Sequence, residues 1–153
     1  MAGLVVIGYD GSGDAQRAID VAASVLDADS ALVINVWQGS LAAATAAAPL
    51  GVPVAPTPED DDARLERAGR EIADEGAARA RDAGLAAESD VRRGDSAGEI
   101  GTALLDAALE RDADLVVVGR RGISRIQAVV LGSVSDAAVR DGRRPVLVVP
   151  AAD

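Results

Sequence analysis

The sequence predicts an α/β protein in which helices cover both faces of a parallel sheet. Short runs rich in Val, Ile and Leu alternate with longer segments whose apolar residues recur at helical spacing. The resulting order, βαβαβαβαβ, is typical of parallel strands joined by right-handed crossovers. A length of 153 residues fits a single domain over the whole chain, and a hydrophobic fraction of 49% is enough for one core.

The chain opens with a buried strand and an amphipathic helix. The strand runs from Leu4 to Ile7 and ends in the loop Gly8-Tyr9-Asp10-Gly11-Ser12. The helix is expected from Asp14 to about Asp27, because its apolar residues form one face. That face is predicted to contain Ala15, Ala18, Ile19, Ala22, Val25 and Leu26.

The second strand is predicted from Ala31 to Val36 and ends at Trp37. From about residue 38 to 62 we expect a mobile excursion rich in Ala and Pro, since its prolines prevent a long helix. The acidic run from Glu59 to Asp62 should precede the second helix, which continues to about Ala83, because negative charge suits the amino end of a helix.

The second half of the chain repeats the alternation. Residues 86–91 form a third strand with a weak pattern, and Ser96 with Glu99 makes a capping box before the third helix. The remaining elements are a buried strand at 115–118, a helix from Ser133 to Asp141 and a strand from Pro145 to Pro150.

Missing residue types exclude whole classes of chemistry. The chain has no Cys, His or Lys, and all 15 cationic side chains are Arg. A Walker-type phosphate loop and a Schiff-base lysine are therefore excluded, as are a Ser-His-Asp triad, a thiol nucleophile and an ordinary zinc site. Any metal should be a hard ion such as Mg²⁺ or Mn²⁺, held by carboxylates, hydroxyls and the phosphates of a ligand.

The charge of the chain bears on its partners and its location. A net charge of −10 opposes nucleic acid and anionic membranes as partners, because Lys and Arg contacts dominate such binding. The amino terminus lacks the basic region of a signal peptide, and no apolar run reaches about 18 residues. We therefore expect a cytoplasmic protein.

A glycine-rich segment after the fourth strand is the most specific pattern in the chain. Gly119 and Gly122 are followed, after nine intervening residues, by Gly132-Ser133. Glycines let the backbone approach a ligand, and a helix start at Ser133 with Ser135 nearby offers amide and hydroxyl donors to an anion. Taken singly, each glycine also fits an ordinary turn, and the serines fit a helix cap.

Taken together, this spacing resembles the nucleotide-binding signature of the universal stress protein family, small α/β proteins many of which bind ATP or AMP. Three further segments are similar to the family: residues 8–12, Gly94-Asp95 with Glu99-Ile100, and residues 145–150. The resemblance implies an open, Rossmann-like sheet with strand order 3-2-1-4-5. It also implies an adenine nucleotide, ATP, ADP or AMP, bound with Mg²⁺ or Mn²⁺ at its phosphates.

The resemblance assigns roles to individual residues. Asp10 would lie near the adenosine, although it equally fits a cap of the first helix, and the backbone of Val36 would recognise the adenine edge. Trp37 would be a lid or a base-stacking residue. The sequence departs from the common family pattern at Asn35, often His, and at Gly8, often Pro. The ribose and phosphates would lie on Gly119, Gly122, Gly132, Ser133, Val134 and Ser135.

The closing strand and the glycine segment leave three functions open. The strand at 145–150 would be a sheet edge, where the family commonly dimerises, so a homodimer is expected. The leading function is a stress-response regulator whose nucleotide state is read by a partner protein that the sequence does not identify. One alternative is a slow ATPase in which Asp10 orients a water near Mg²⁺. The other is a dimeric interaction module that binds no nucleotide.

Overall fold

A computed structural model of the chain describes residues 3–39, 49, 51, 59–120 and 144–150. In these residues the strands form one parallel sheet in the order β3-β2-β1-β4-β5, which confirms the expected order. The third strand extends two residues further than the sequence indicated. The strands are β1 (Leu4–Gly8), β2 (Ser30–Trp37), β3 (Ala86–Arg93), β4 (Leu115–Gly119) and β5 (Val146–Val149).

Three helices of the described residues cross between these strands: α1 (Gly13–Ser24), α2 (Glu59–Asp82) and α3 (Ala97–Glu110). The expected helix at 133–141 and most of the excursion at 38–62 lie outside the described residues. Helix α1 ends three residues before the expected Asp27, because Asp27 adopts a left-handed conformation with φ 49°. Val25, expected on the buried face, therefore lies beyond the helix and is 72% exposed.

Side chains of successive strand residues point to opposite faces of the sheet, so they form two separate cores, one on each face. The first core packs β1 and β2 against α1 and α2, and the second packs the same strands against α3. Members of the first core include Val5, Ile7, Val33, Ala18, Ile19, Ala77 and Ala80. Members of the second include Val6, Leu32, Ile34, Leu104, Leu105 and Ala108. The buried strand pattern and the helical periodicity thus produce a sheet covered on both faces.

Small residues on α2 let this helix approach the sheet closely. A Cβ built on Gly76 would lie 2.6 Å from the ring of Tyr9 and 2.8 Å from Val33. A Cβ on Gly69 would lie 2.7 Å from Asn35 Oδ1. Since the chain has no Phe, Tyr9 is the aromatic ring of this core, and glycine on α2 makes room for it.

The two edge strands differ in character. On β3, Arg92 pairs with Glu110 of α3 at 2.7 Å, and Glu88 pairs with Arg111 at 2.7 Å. The hydrogen bonds to Glu110 raise the pKa of Arg92, and the same contact lowers the pKa of Glu110. On β5, Val148 is 38% exposed and the whole strand is apolar. One edge is therefore charged and tied to helices, whereas the other is apolar.

No helix within the described residues is both long enough and apolar enough to span a bilayer.

Candidate functional site

The carboxyl ends of β1 and β4 form the point where the chain reverses the order of the sheet. These strands are direct neighbours, with Gly8 opposite Val118. After β1 the chain leads to β2 on one side, whereas β5 lies on the other side of β4. In open α/β sheets the loops separate at such a point and leave a crevice in which ligands bind. The fold therefore directs attention to the loops after β1, β2 and β4.

The loop after β1 is held by its own polar side chains. Asp10 Oδ1 accepts a hydrogen bond from Ser12 N–H at 3.0 Å, and Gly11 adopts φ 80°. Ser12 Oγ accepts from Ala15 N–H at 3.2 Å, so Ser12 is the cap of α1. Of the two roles considered for Asp10, the cap thus belongs to Ser12, and the exposed Asp10 fixes the turn that leads into the helix.

Gly119 packs against the first turn of α1. A Cβ at this position would lie 2.5 Å from the carbonyl carbon of Asp14 and 2.8 Å from the backbone nitrogen of Ala15. Both contacts are backbone atoms that no rotamer change can move, so only glycine fits. The approach brings the end of β4 against the amino end of α1, where the helix dipole favours an anion.

The backbone of Val36 faces the β1 side of β2, beyond the end of β1. Tyr9 N–H donates to Ile34 C=O at 2.8 Å, and Gly94 N–H donates to Trp37 C=O at 3.0 Å. In a parallel strand, the backbone N–H and C=O groups of successive residues point alternately toward the two neighbouring strands. Ile34 and Val36 therefore present their N–H and C=O groups toward β1, while Trp37 presents its own toward β3. The Val36 groups reach the crevice at the level where β1 has already turned away.

A buried side chain helps to separate β1 from β2 at this level. Asn35 is 7% exposed, and its Nδ2 donates to Tyr9 C=O at 2.9 Å. In the register of the two strands, Tyr9 C=O is the group that a longer β1 would offer to Val36 N–H. The amide of Asn35 occupies this carbonyl instead. Asn35 was noted in the sequence only as a departure from a common His, and its role depends on register, which no sequence pattern reveals.

A second group that the sequence did not reveal lies at the ends of β2 and β3. Arg93 is the register partner of Trp37, and its guanidinium carbon lies 5.3 Å from the centroid of the indole ring. The guanidinium also pairs with Asp95 at 2.8 Å and with Asp62 of α2 at 3.0 Å. Hydrogen bonds from Arg93, and then from Gly39 N–H, lower the pKa of Asp95. Asp95 raises the pKa of Arg93 in turn.

The phenol of Tyr9 lies beneath the crevice. Its hydroxyl donates to Glu75 Oε1 of α2 at 3.0 Å. Burial, and then the hydrogen bond and charge of Glu75, raise the pKa of Tyr9. The phenol therefore stays protonated and acts as a donor that links the end of β1 to α2.

Three of the residues assigned to a site from the sequence lie together at the carboxyl ends of the strands: Asp10, Val36 and Gly119. The other assigned residues lie outside the described residues: Gly122, Gly132, Ser133, Val134 and Ser135. Within the described ranges, no group of three or more Asp or Glu side chains is arranged to hold a metal ion.

The strand order and the switch-point crevice define a doubly wound α/β protein of the Rossmann-like class. Residues 1–150 match the model of the Universal stress protein family, and the chain belongs to this family. Universal stress protein YxiE of Bacillus subtilis is 31% identical over 147 residues, which cover 95% of this chain and 97% of YxiE.

Solved structures share the fold. A universal stress protein in complex with cAMP is 27% identical, with 97% of both chains covered and a TM-score of 0.57. A family protein of Arabidopsis thaliana with AMP bound is 19% identical, covers 98% of this chain and 92% of its own, and has a TM-score of 0.55.

Proposed function

We propose that this chain is a regulatory protein of the stress response that binds an adenine nucleotide, ATP, ADP or AMP, in the crevice beside β1. The observation that carries the proposal is the backbone of Val36, whose N–H and C=O face the crevice beyond the last hydrogen bond from β1 to β2. One donor and one acceptor side by side suit the edge of adenine, which offers N1 as an acceptor and the N6 amino group as a donor. The family member solved with cAMP supports an adenosine ligand.

The amino end of α1 supports a ribose and phosphate position next to this base site. Gly119 brings β4 into contact with the first turn of α1, and Asp10 fixes the loop between β1 and that turn. We assign the ribose and first phosphates to Gly119 and Gly122. The outer phosphates are assigned to the segment from Gly132 to Ser135, whose glycine and serines would supply amide and hydroxyl donors.

The chemistry of the chain favours binding over turnover. It has no His, Lys or Cys, so a general base with a pKa near neutrality is lacking among the ordinary candidates. Mg²⁺ or Mn²⁺ would arrive with the phosphates and neutralise their charge, with Asp10 as the nearest assigned carboxylate. A partner protein would read whether the site is filled.

We also propose that the chain forms a homodimer through β5. This edge strand carries only apolar residues, Val146–Val149, and Val148 is 38% exposed. A second copy that adds its own β5 would satisfy the backbone groups of both edges and cover their side chains.

Isothermal titration calorimetry of the full chain with ATP and Mg²⁺ tests the nucleotide proposal. Gly132→Asp places a carboxylate where phosphate is assigned, and Gly98→Asp is the matched control, because a Cβ on Gly98 meets nothing within 4 Å. We expect binding by the parent and the control and its loss in a folded Gly132→Asp variant. No heat at millimolar ATP, in protein freed of co-purified nucleotide, would refute the proposal.

A further inference from the structure

Trp37 contacts two parts of the chain that are far apart in sequence. A Cβ on Gly69 of α2 would lie 3.3 Å from Trp37 Cβ, so this helix packs against the base of the side chain. The Arg93 guanidinium carbon lies over the indole ring, 5.3 Å from its centroid. Trp37 therefore has a defined orientation at the end of β2.

The same guanidinium is linked, through Asp95, to the backbone just after Trp37. Arg93 Nε donates to Asp95 at 2.9 Å, and Asp95 Oδ1 accepts from Gly39 N–H at 2.9 Å. The Trp37 carbonyl accepts from Gly94 N–H at 3.0 Å. A Cβ on Gly39 would meet the Arg93 guanidinium, so the chain passes directly against this group. Residues 37 and 39 are thus tied to the end of β3.

A third contact fixes the position of the guanidinium itself. Arg93 Nη1 donates to Asp62 Oδ2 of α2 at 3.0 Å. The side chains of Arg93, Asp62 and Asp95 are 48%, 29% and 36% exposed. Exposed ion pairs add little to stability. Their common effect here is geometric, because one planar group joins α2, β2 and β3 at the level of Val36.

We propose that Arg93 is a positioning residue for the adenine base: by clamping Trp37 and Gly39 it fixes the peptide planes through which Val36 reads the adenine edge. This inference rests on the proposed nucleotide site. Arg93 need not touch the nucleotide, since it acts one residue further along β2. Removing it leaves the backbone hydrogen bonds of Gly94 and Gly39 in place, but it removes the stack on the indole and the ion pair that holds Asp95 where it accepts from Gly39 N–H.

Binding of two probes separates base recognition from phosphate binding. Arg93→Gln is compared with Arg111→Gln, which removes a single exposed ion pair, to Glu88, toward the opposite end of β3. We expect Arg93→Gln to weaken AMP roughly tenfold, or about 1.4 kcal/mol. Inorganic tripolyphosphate should bind Arg93→Gln as it binds the parent, and Arg111→Gln should bind both probes normally. Arg93→Lys keeps the positive charge over the ring but loses the planar guanidinium. Its AMP affinity should therefore lie between that of the parent and that of Arg93→Gln.

Trp37 provides a direct readout, because it is the one Trp in the chain. The fluorescence emission of Trp37 should shift when AMP binds to the parent. In Arg93→Gln the emission should be shifted even without ligand. The urea midpoint of Arg93→Gln should stay near that of Arg111→Gln. Unchanged AMP affinity in Arg93→Gln, or an equal loss for AMP and tripolyphosphate, would overturn the positioning role. If the parent binds no AMP, the proposed function itself fails, whereas an unshifted Trp37 emission in Arg93→Gln refutes the clamp alone.

Discussion

Gly119→Ala is the sharpest perturbation that the fold offers, because the added Cβ would meet only backbone. Its nearest neighbour would be the Asp14 carbonyl carbon at 2.5 Å, whereas ordinary contact begins at 3.4 Å. The first turn of α1 would have to retreat by about 0.9 Å, the difference between these two distances. Overpacking of this kind costs about 1–3 kcal/mol, and the upper end applies because no side chain can rotate away.

The opposing effect is smaller. Replacing glycine by alanine restricts the unfolded chain and stabilises by about 0.4–1 kcal/mol. The net loss is therefore about 2–2.6 kcal/mol, which for a chain of this size lowers the melting temperature by roughly 4–10 °C. Urea unfolding followed by circular dichroism measures the free energy of unfolding, and a thermal scan measures the melting temperature.

Gly13→Ala is the matched control, because it lies in the same first turn of α1 and its Cβ would meet nothing within 4 Å. We expect its stability to stay within about 0.5 kcal/mol of the parent. If Gly119→Ala is as stable as Gly13→Ala, then the close approach of β4 to α1 is wrong. Gly119 would in that case owe its identity to a ligand and not to packing.

Three further predictions concern the site and the edge of the sheet. Asn35→Asp should lower the free energy of unfolding by about 1–3 kcal/mol at pH 7, because it removes the donor to Tyr9 C=O and buries a carboxylate. In urea unfolding, part of this lost stability should return at pH 5. An unchanged urea midpoint would contradict the role of Asn35. The pKa of Asp95 is lowered in the folded state, so its contribution is present above its ordinary value near 4 and is lost as pH falls below that value. The stability gap between the parent and Asp95→Asn should therefore narrow in urea titrations as pH falls from about 5 through the lowered pKa of Asp95, and a constant gap would argue against the ion pair. Val148→Asp should convert a dimer to monomer in analytical ultracentrifugation, because it places charge on the apolar edge strand. Val25→Asp, at an exposed site off the sheet, should leave the association state unchanged. A dimer that survives Val148→Asp would exclude β5 as the interface.

The sequence was sufficient for the type and succession of the elements in the described residues, since each depends on local pattern, whereas the strand order followed from the family resemblance and the helix expected at 133–141 stays a prediction. The run at 115–118 is buried as β-branched runs in parallel sheets are, and Ser96 accepts from Glu99 N–H as a capping box requires. Even here one detail differed, because the Glu99 carboxylate accepts from Asp95 N–H at 2.7 Å, one residue before the cap. Helix α1 was predicted too long, because Asp27 gives no local sign of its left-handed conformation.

The site was harder to predict, since its geometry depends on contacts between distant residues. Gly119 could be placed at a crevice from its position after a strand, but its packing on Asp14 depends on how α1 crosses the sheet. The pairing of Trp37 with Arg93 follows from the register of β2 and β3, and neither residue has a local pattern that indicates a partner. The phosphate assignments at Gly132 to Ser135 stay predictions.

The unequal edges of the sheet limit how far the molecule can assemble. A sheet with two apolar edges could add copies at both ends and grow into an open ribbon. Here the β3 edge carries Glu88 and Arg92, each committed to a helix-borne or loop-borne partner of opposite charge. If two copies pair through β5 as we propose, the described part of the dimer ends in a charged β3 strand on both sides. These charges would then limit assembly to two copies and prevent an open ribbon.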